Sequence, residues 1–226
     1  MKSRLEELRA NLQSVNERIS AAAESVGRDP KEVTLIAVTK FFPLADVRHL
    51  YDLGVRHFGE NRDDEGSEKS EGLGEEATWH FQGQIQGRKI RSLLSWAEVI
   101  HSLDSLDHAA KFDRILDEME QSRDFFIQIN LEPAREDRGG IQPGDLGGFL
   151  DELHHFPHLN LLGLMTVPPI SAEPTTAFAE IAGLATGHGL FQLSMGMSGD
   201  FEAAIRAGAT HIRVGSSILG SRPTPA

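Results

Sequence analysis

The chain has 226 residues, with 34 acidic against 22 basic side chains, a formal net charge of -12 and no cysteine. A field of that sign repels polyphosphate backbones over most of the surface and disfavours nucleic acid, although a small anion could still bind where backbone N–H groups and arginines converge. The missing cysteines exclude a disulfide framework, a thiolate zinc site and a cysteine nucleophile, and point to the cytoplasm.

The opening MKSRLEELRANLQSVNERIS is charged throughout and lacks the apolar stretch of a signal peptide or membrane span, so a soluble protein is expected. Within it Leu5, Leu8, Leu12, Val15 and Ile19 recur at three- and four-residue steps, an amphipathic helix that ends near Gly27 and Pro30. The first strand, Val33–Thr39, follows. Further short apolar or aromatic runs lie at Val55–Gly59, Thr78–Gln82, Val99–Ser102, Phe125–Asn130, Leu161–Met165, Phe191–Met195 and Ile212–Gly215. Helical segments are expected between them at about 43–53, 62–73, 84–95, 105–121, 143–155, 173–187 and 199–207. The stretches 62–78 and 132–148, the latter holding PAREDRGGIQPGDLGG, have the most loop-like composition.

Repeated βα units imply parallel strands, and eight of them most simply close into a single (β/α)8 TIM-type barrel domain over residues 1–226. No helix of ordinary length follows the eighth strand, and the N-terminal helix can fill that gap in the outer ring. An open doubly wound sheet would need a glycine-rich nucleotide turn after its first strand. That place reads TKFFP, and no GxGxxG or Walker sequence occurs.

In such a barrel the active site lies at the C-terminal strand ends. In strand order these carry Lys40, then Glu60 and Asn61, His80 with Gln82, His101 with Ser102, Asn130, Met165 with Thr166, Ser194 with Ser198, and Arg213 with Gly215 and Ser216. A desolvated lysine has a lowered pKa and can attack an aldehyde, whereas a lysine that snorkels to solvent needs no such role. The GSS turn after the eighth strand and the serines after the seventh offer N–H groups and hydroxyls where this fold often binds phosphate. Each serine also reads as an ordinary helix cap. Taken together they suggest one ligand bearing an aldehyde and a phosphate, pyridoxal 5'-phosphate (PLP).

The ordered motifs AVTK, FGEN, WHFQGQIQGRK, HSLDS, LLGLMTV and LSMGMSGDFEAAIRAGATHIRVGSSILGSR span nearly the whole chain. Through them it resembles the pyridoxal phosphate homeostasis proteins of the YggS/PROSC type, which are similar to the N-terminal barrel of alanine racemase, a PLP fold of type III. The resemblance implies a Schiff base on Lys40, Asn61 beside the ring, Arg213 facing the pyridine nitrogen, and phosphate on Gly215, Ser216 and either Ser194 or Ser198. The candidate cofactor-binding set is therefore Lys40, Asn61, His80, Met165, Ser194, Ser198, Arg213, Gly215 and Ser216. The sequence departs from the commoner family pattern at TKFFP, where many members have Thr-Lys-Pro, and at DRGG, where many have Lys-Ser-Gly.

An arginine opposite the pyridine nitrogen can only donate a hydrogen bond, which leaves the ring unprotonated and a poor electron sink. Racemisation would then need a proton-transfer group on each face. The chain's only tyrosine, Tyr51, falls in the first barrel helix, away from the strand ends. A PLP carrier or regulator without catalytic turnover, serving PLP-dependent apo-enzymes as a monomer, is thus expected. The alternatives are a weak amino acid racemase using His80 or His101, and a cofactor-free Schiff-base aldolase, which leaves the serine turns unexplained. His154, His155 and His158 lack zinc-protease spacing, with Pro157 interrupting them, and read as a solvated helix end. Arg88, Lys89 and Arg91 form one basic cluster on the ligand side, usually a solvated face. Trp79 and Trp96 read as core.

Overall fold

Strands that are covered on both faces read as continuous apolar runs, and those runs form the centre of the molecule. The computed structural model describes residues 3–132, 139–169 and 173–221. Its strands are β1 (Thr34–Val38), β2 (His57–Glu60), β3 (Thr78–Phe81), β4 (Val99–Leu103), β5 (Arg123–Ile129), β6 (Leu159–Thr166), β7 (Gln192–Met197) and β8 (His211–Val214). All pair in parallel and in chain order, and β8 closes on β1 through Thr34 to Ala37. The expected (β/α)8 barrel is the architecture observed.

The outer ring holds α1 (Arg4–Glu24), α2 (Leu44–Asp52), α3 (Asp63–Glu71), α4 (Ile90–Leu93), α5 (Leu106–Glu118), α6 (Leu146–Leu153), α7 (Pro174–Gly187), α8 (Phe201–Arg206) and α9 (Ser216–Leu219). Ser3 and Glu6 form a capping box that starts α1, which buries Leu8, Leu12, Val15 and Ile19. It packs on α8, α9 and α2, filling the gap that the four-residue α9 leaves after β8. Polar contacts fix its position. Arg4 pairs with Asp46 at 2.8 Å and donates to the Leu219 carbonyl at 2.9 Å, and Asn11 donates to the Ile218 carbonyl at 2.9 Å.

Two differences from the sequence reading have local causes. The helix expected over 84–95 shrinks to a 3-10 turn at Gly87–Lys89 and the four residues of α4. The backbone at Gly83 is pressed against the Asn61 carbonyl and its own carbonyl accepts from Ser102 Oγ at 2.6 Å, so the chain leaves β3 extended. Strands β5 and β6 start two residues before their apolar runs, because Arg123 and Asp124 pair with Leu159 and Asn160 despite their polarity. Residues 133–138, including the Asp137 and Arg138 of DRGG, lie outside the described residues.

The β6–β7 seam admits no side chain at Gly163, since a Cβ there would lie 1.9 Å from the Gln192 carbonyl oxygen. Gly163→Ala is therefore expected to part the two strands at the cost of about 3 kcal/mol or more, read as a lowered urea midpoint.

Candidate functional site

The C-terminal strand ends enclose a cleft of about 320 Å³. Val38, Lys40, Asn61 and Gln82 wall it from the first three strands, and Met165 and Val167 from β6. Met197, Ser198, Arg213, Gly215 and Ser216 complete it from β7, β8 and the turns after them. Seven members of the sequence-derived set thus converge: Lys40, Asn61, Met165, Ser198, Arg213, Gly215 and Ser216. His80 and Ser194 lie beneath the cleft, fully buried in the barrel interior.

Lys40 emerges from a tightly held turn. Thr39, just before it, donates from Oγ1 to Glu60 Oε1 at 2.6 Å, and its carbonyl accepts from Lys69 Nζ at 2.9 Å. Lys69 also pairs with Glu60 at 2.7 Å, and both side chains are buried. Burial pushes the Glu60 carboxyl up, against the opposing pull of Lys69. Phe41, just after Lys40, adopts φ 72°, a left-handed conformation uncommon outside glycine. Its N–H donates to Glu65 Oε2 at 2.9 Å and its ring lies 5.0 Å from the Arg62 guanidinium. The acidic start of α3 therefore does more than complement a helix dipole: Glu65 holds the lysine turn, while Asp63 accepts from Trp96 Nε1 at 3.0 Å.

Lys69→Met would leave the Glu60 carboxylate buried without its counter-charge. A loss of about 3–5 kcal/mol is expected in chemical denaturation. Pairing the change with Glu60→Gln is expected to recover part of that loss.

On the opposite wall, β7 carries a bulge: Ser194 pairs with His211 but Met197 with Arg213, so β7 spends one residue more. Gly196 absorbs it with φ 91°, where a Cβ would lie 2.6 Å from that of Ala204. The bulge turns Ser194 into the core and brings Ser198 to the rim. Ser198 Oγ accepts from the N–H groups of Gly215 at 3.1 Å and Ser217 at 3.3 Å, and Ser217 Oγ donates to the Ser198 carbonyl at 3.2 Å. The two turns are thereby stapled together. Since Ser198 Oγ accepts both bonds, its own proton remains to be donated.

Arg213 is 5% exposed. Its Nη1 donates to Ser194 O at 2.7 Å and to Ser194 Oγ at 2.9 Å, and Nη2 to the Thr166 carbonyl at 2.9 Å. Burial lowers its pKa to about 10, against the pull of Asp200, so it stays protonated at neutral pH. Two buried polar atoms in the wall, Asn61 Oδ1 and Gln82 Nε2, have no hydrogen-bond partner among the described residues. Gln82 directly follows β3, whose sequence is TWHF; it stands among the strand-end residues but not in the candidate cofactor-binding set, which its place at the end of the run Thr78–Gln82 could have suggested.

The remaining sequence-flagged groups lie elsewhere. Lys89 pairs with Asp64 at 2.8 Å and Arg91 with Glu118, so both are tied to carboxylates on the helical ring. His158 Nδ1 lies 3.0 Å from Asp113 Oδ1, and Trp79 and Trp96 are buried. Among the described residues no group of three or more histidine and carboxylate side chains is arranged to hold a metal, and no helix is long and apolar enough to cross a membrane.

The family described as alanine racemase, N-terminal domain, matches residues 4–223. A pyridoxal phosphate homeostasis protein of Mycobacterium leprae is 37% identical over 238 residues, covering 95% of this chain and 92% of its own. The chain belongs to the pyridoxal phosphate homeostasis protein family. Within the solved structures, PipY of Synechococcus elongatus, described with PLP bound, is 34% identical with a TM-score of 0.81, covering 91% of this chain and 100% of its own. An alanine racemase of Clostridium difficile shares the fold at a TM-score of 0.73 and 18% identity, covering 96% of this chain and 60% of its own. The barrel of this homeostasis family member thus matches part of the racemase chain.

Proposed function

We propose that the protein binds PLP reversibly in the cleft through a Schiff base on Lys40, and acts in PLP homeostasis as a carrier or regulator in the cytoplasm. The observation that carries this reading is the meeting of Lys40, Arg213 and the stapled Ser198–Gly215–Ser216 turns in one cleft of about 320 Å³. PLP supplies an aldehyde and an aromatic ring with a phosphate, and the PipY relative is described with it bound. The unpartnered Asn61 Oδ1 and Gln82 Nε2 fit a ligand that has polar groups along its edge.

On this reading Lys40 would hold the aldehyde, and Asn61 and Gln82 would meet polar groups of the ring. Met165 would pack against the ring's apolar surface, and Ser198 with the Gly215–Ser216 turn would receive the phosphate. Arg213, which can donate but not accept a hydrogen bond, would face the pyridine nitrogen and keep a proton off it. That disfavours chemistry needing a strong electron sink. A second proton-transfer group is also wanting in the described wall of the cleft: Tyr51 sits on α2 with Arg56 4.2 Å from its ring, and His80 and His101 lie in the core. Holding the cofactor, as one barrel domain and a monomer, is the activity we assign.

The test is the absorption spectrum of the purified protein after incubation with PLP. A band near about 420 nm, with PLP fixed to the Lys40 peptide after borohydride reduction, supports the reading; no band sinks it. Chiral analysis of amino acids after long incubation separates a carrier from a racemase, and sustained turnover overturns the carrier assignment.

A further inference from the structure

Helix α3 buries an unusual face. Where α5 turns Ala109, Phe112, Ile115 and Leu116 inward, the sequence of α3, DDEGSEKSE, has no apolar side chain to bury, and its inward residues are Asp63, Gly66 and Lys69. Gly66 lies flush against the Trp96 ring, and Asp63 accepts from Trp96 Nε1 and from Ser92 Oγ, each at 3.0 Å. These contacts dock the helix. Lys69 adds little to them as a source of stability, because desolvating both charges of its pair with Glu60 offsets most of their attraction. Its place on the inward face calls for another role.

That role lies in the turn that carries Lys40. Thr39, Lys40, Phe41 and Phe42 form a β-turn, closed by the Phe42 N–H donating to the Thr39 carbonyl at 3.0 Å. Phe41, its third residue, has φ 72°, whereas Lys40, the second, is not among the positive-φ residues, which outside glycine are Phe41 and Glu120 in the described chain. A negative φ followed by a positive one marks a type II turn, whose third position favours glycine or asparagine. In the commoner type I turn the peptide between Lys40 and Phe41 is turned over, and its N–H points to the other side. A phenylalanine without outside help prefers type I, since a positive φ crowds its Cβ.

Helix α3 supplies that help. Glu65 Oε2 accepts from the Phe41 N–H at 2.9 Å, a bond that turning the peptide over would break. One turn further along the helix, Lys69 Nζ donates to the Thr39 carbonyl at 2.9 Å and lies 3.4 Å from Glu65 Oε2. A carboxylate and an ammonium four residues apart thus grip the peptides on either side of Lys40, one by its N–H and the other by its carbonyl. Burial raises the Glu65 carboxyl, but the Phe41 N–H bond and the charges of Lys69 and Arg62 outweigh it and hold the group below its usual range.

We propose that Glu65 is a positioning residue for Lys40: with Lys69, it keeps the Thr39–Phe42 turn in its type II form and so fixes the direction from which the lysine amine meets an aldehyde in the cleft. Neither Glu65 nor Lys69 is among the described residues lining the cleft, so the effect passes through the backbone of the turn. The inference rests on the PLP reading for the identity of the aldehyde. Loss of the Glu65 bond frees the turn to flip toward type I, and Lys40 is then no longer held in one orientation.

Two ligands separate positioning from general loosening of the cleft. PLP can bond to Lys40, whereas 4-deoxypyridoxine 5'-phosphate carries a methyl group in place of the aldehyde and reads the rest of the cleft. In Glu65→Ala the band near about 420 nm should grow about tenfold more slowly on mixing with PLP, with the affinity for 4-deoxypyridoxine 5'-phosphate within about twofold of wild type. Glu65→Gln retains an oxygen that accepts from the Phe41 N–H and should keep the rate within about threefold of wild type. Adding Phe41→Gly to Glu65→Ala should raise the rate again by about threefold, because glycine takes the positive φ without strain. An unchanged rate in Glu65→Ala, an equal loss for both ligands, or no recovery in the double variant overturns the proposal. Amide hydrogen exchange in the protein without PLP tests the grip of α3 apart from any ligand. The Phe41 N–H should exchange about tenfold faster in Glu65→Ala than in wild type, and an equal rate overturns the proposal. Failure of the band in wild type would instead remove the PLP reading, and the exchange rates then decide the role of Glu65 alone.

Discussion

Lys40→Ala is expected to abolish the absorption band near about 420 nm and to weaken PLP binding by about two orders of magnitude, roughly 2.8 kcal/mol, in equilibrium dialysis. The covalent bond is lost, but Arg213 and the stapled turns between β7 and β8 do not depend on the lysine. Arg213 is held by Ser194 and Thr166, and Ser198 by Gly215 and Ser217. Weak residual binding should therefore persist, and the variant should fold, since Lys40 belongs to the turn after β1 and is not among the buried core residues. An unchanged band would mean that another amine carries the cofactor. The tethers on the flanking residues make that substitution local: Thr39 is fixed by Glu60 and Lys69, and Phe41 by Glu65.

Acid should destabilise the fold earlier than carboxylate protonation alone would. The imidazoles of His57, His80, His101 and His211 all have folded-state pKa values below their ordinary 6.5 because burial penalises the charged form. The unfolded chain therefore binds more protons than the folded one once pH drops to about 6.5. The stability that neutral burial contributes is complete above that pH and is lost as pH falls toward each folded pKa. For His211, lowered to about 4, the loss spans the interval from 6.5 to about 4 and amounts to about 3 kcal/mol. His80 and His101, which burial also holds well below the ordinary range, add to the loss in the same direction. Urea midpoints should hold level from about pH 7.5 to about 6.5 and then fall toward about pH 5, and His211→Phe should lessen the slope of that fall. A flat profile would mean that these rings are solvated.

Much of the barrel was legible because strands covered on both faces need continuous apolar runs, and each of the eight runs became a strand. The ends were less legible. Arg123 and Asp124 extend β5 through backbone pairing that their side chains do not advertise, and α4 is short because Gly83 is clamped between Asn61 and Ser102. The cleft was legible where a residue's position along its strand sets its height, as for Lys40, Asn61 and Arg213. Ser194 and Ser198 could not be told apart from sequence, since the bulge at Gly196 decides which faces the core. The Glu60–Lys69 pair and the contacts of His80 with His57 and His101 were hidden for a different reason. The histidines join strands whose relative heights follow from inter-strand register, such as His80 opposite Gly59 and Val99, and Lys69 reaches the end of β2 from α3.

The staple between the turns after β7 and β8 bears on how the ligand could leave. Lys40 and Arg213 are the basic side chains among the described residues of the cleft wall, and neither belongs to the Ser198–Gly215–Ser216 cradle. A phosphate resting there on the PLP reading would be gripped by neutral dipoles, with no ion pair to break on departure. Hydroxyls and N–H groups hold by alignment, which a small shift of either turn undoes. Such a cradle suits a ligand meant to be handed on, where a cluster of arginines would suit one meant to stay.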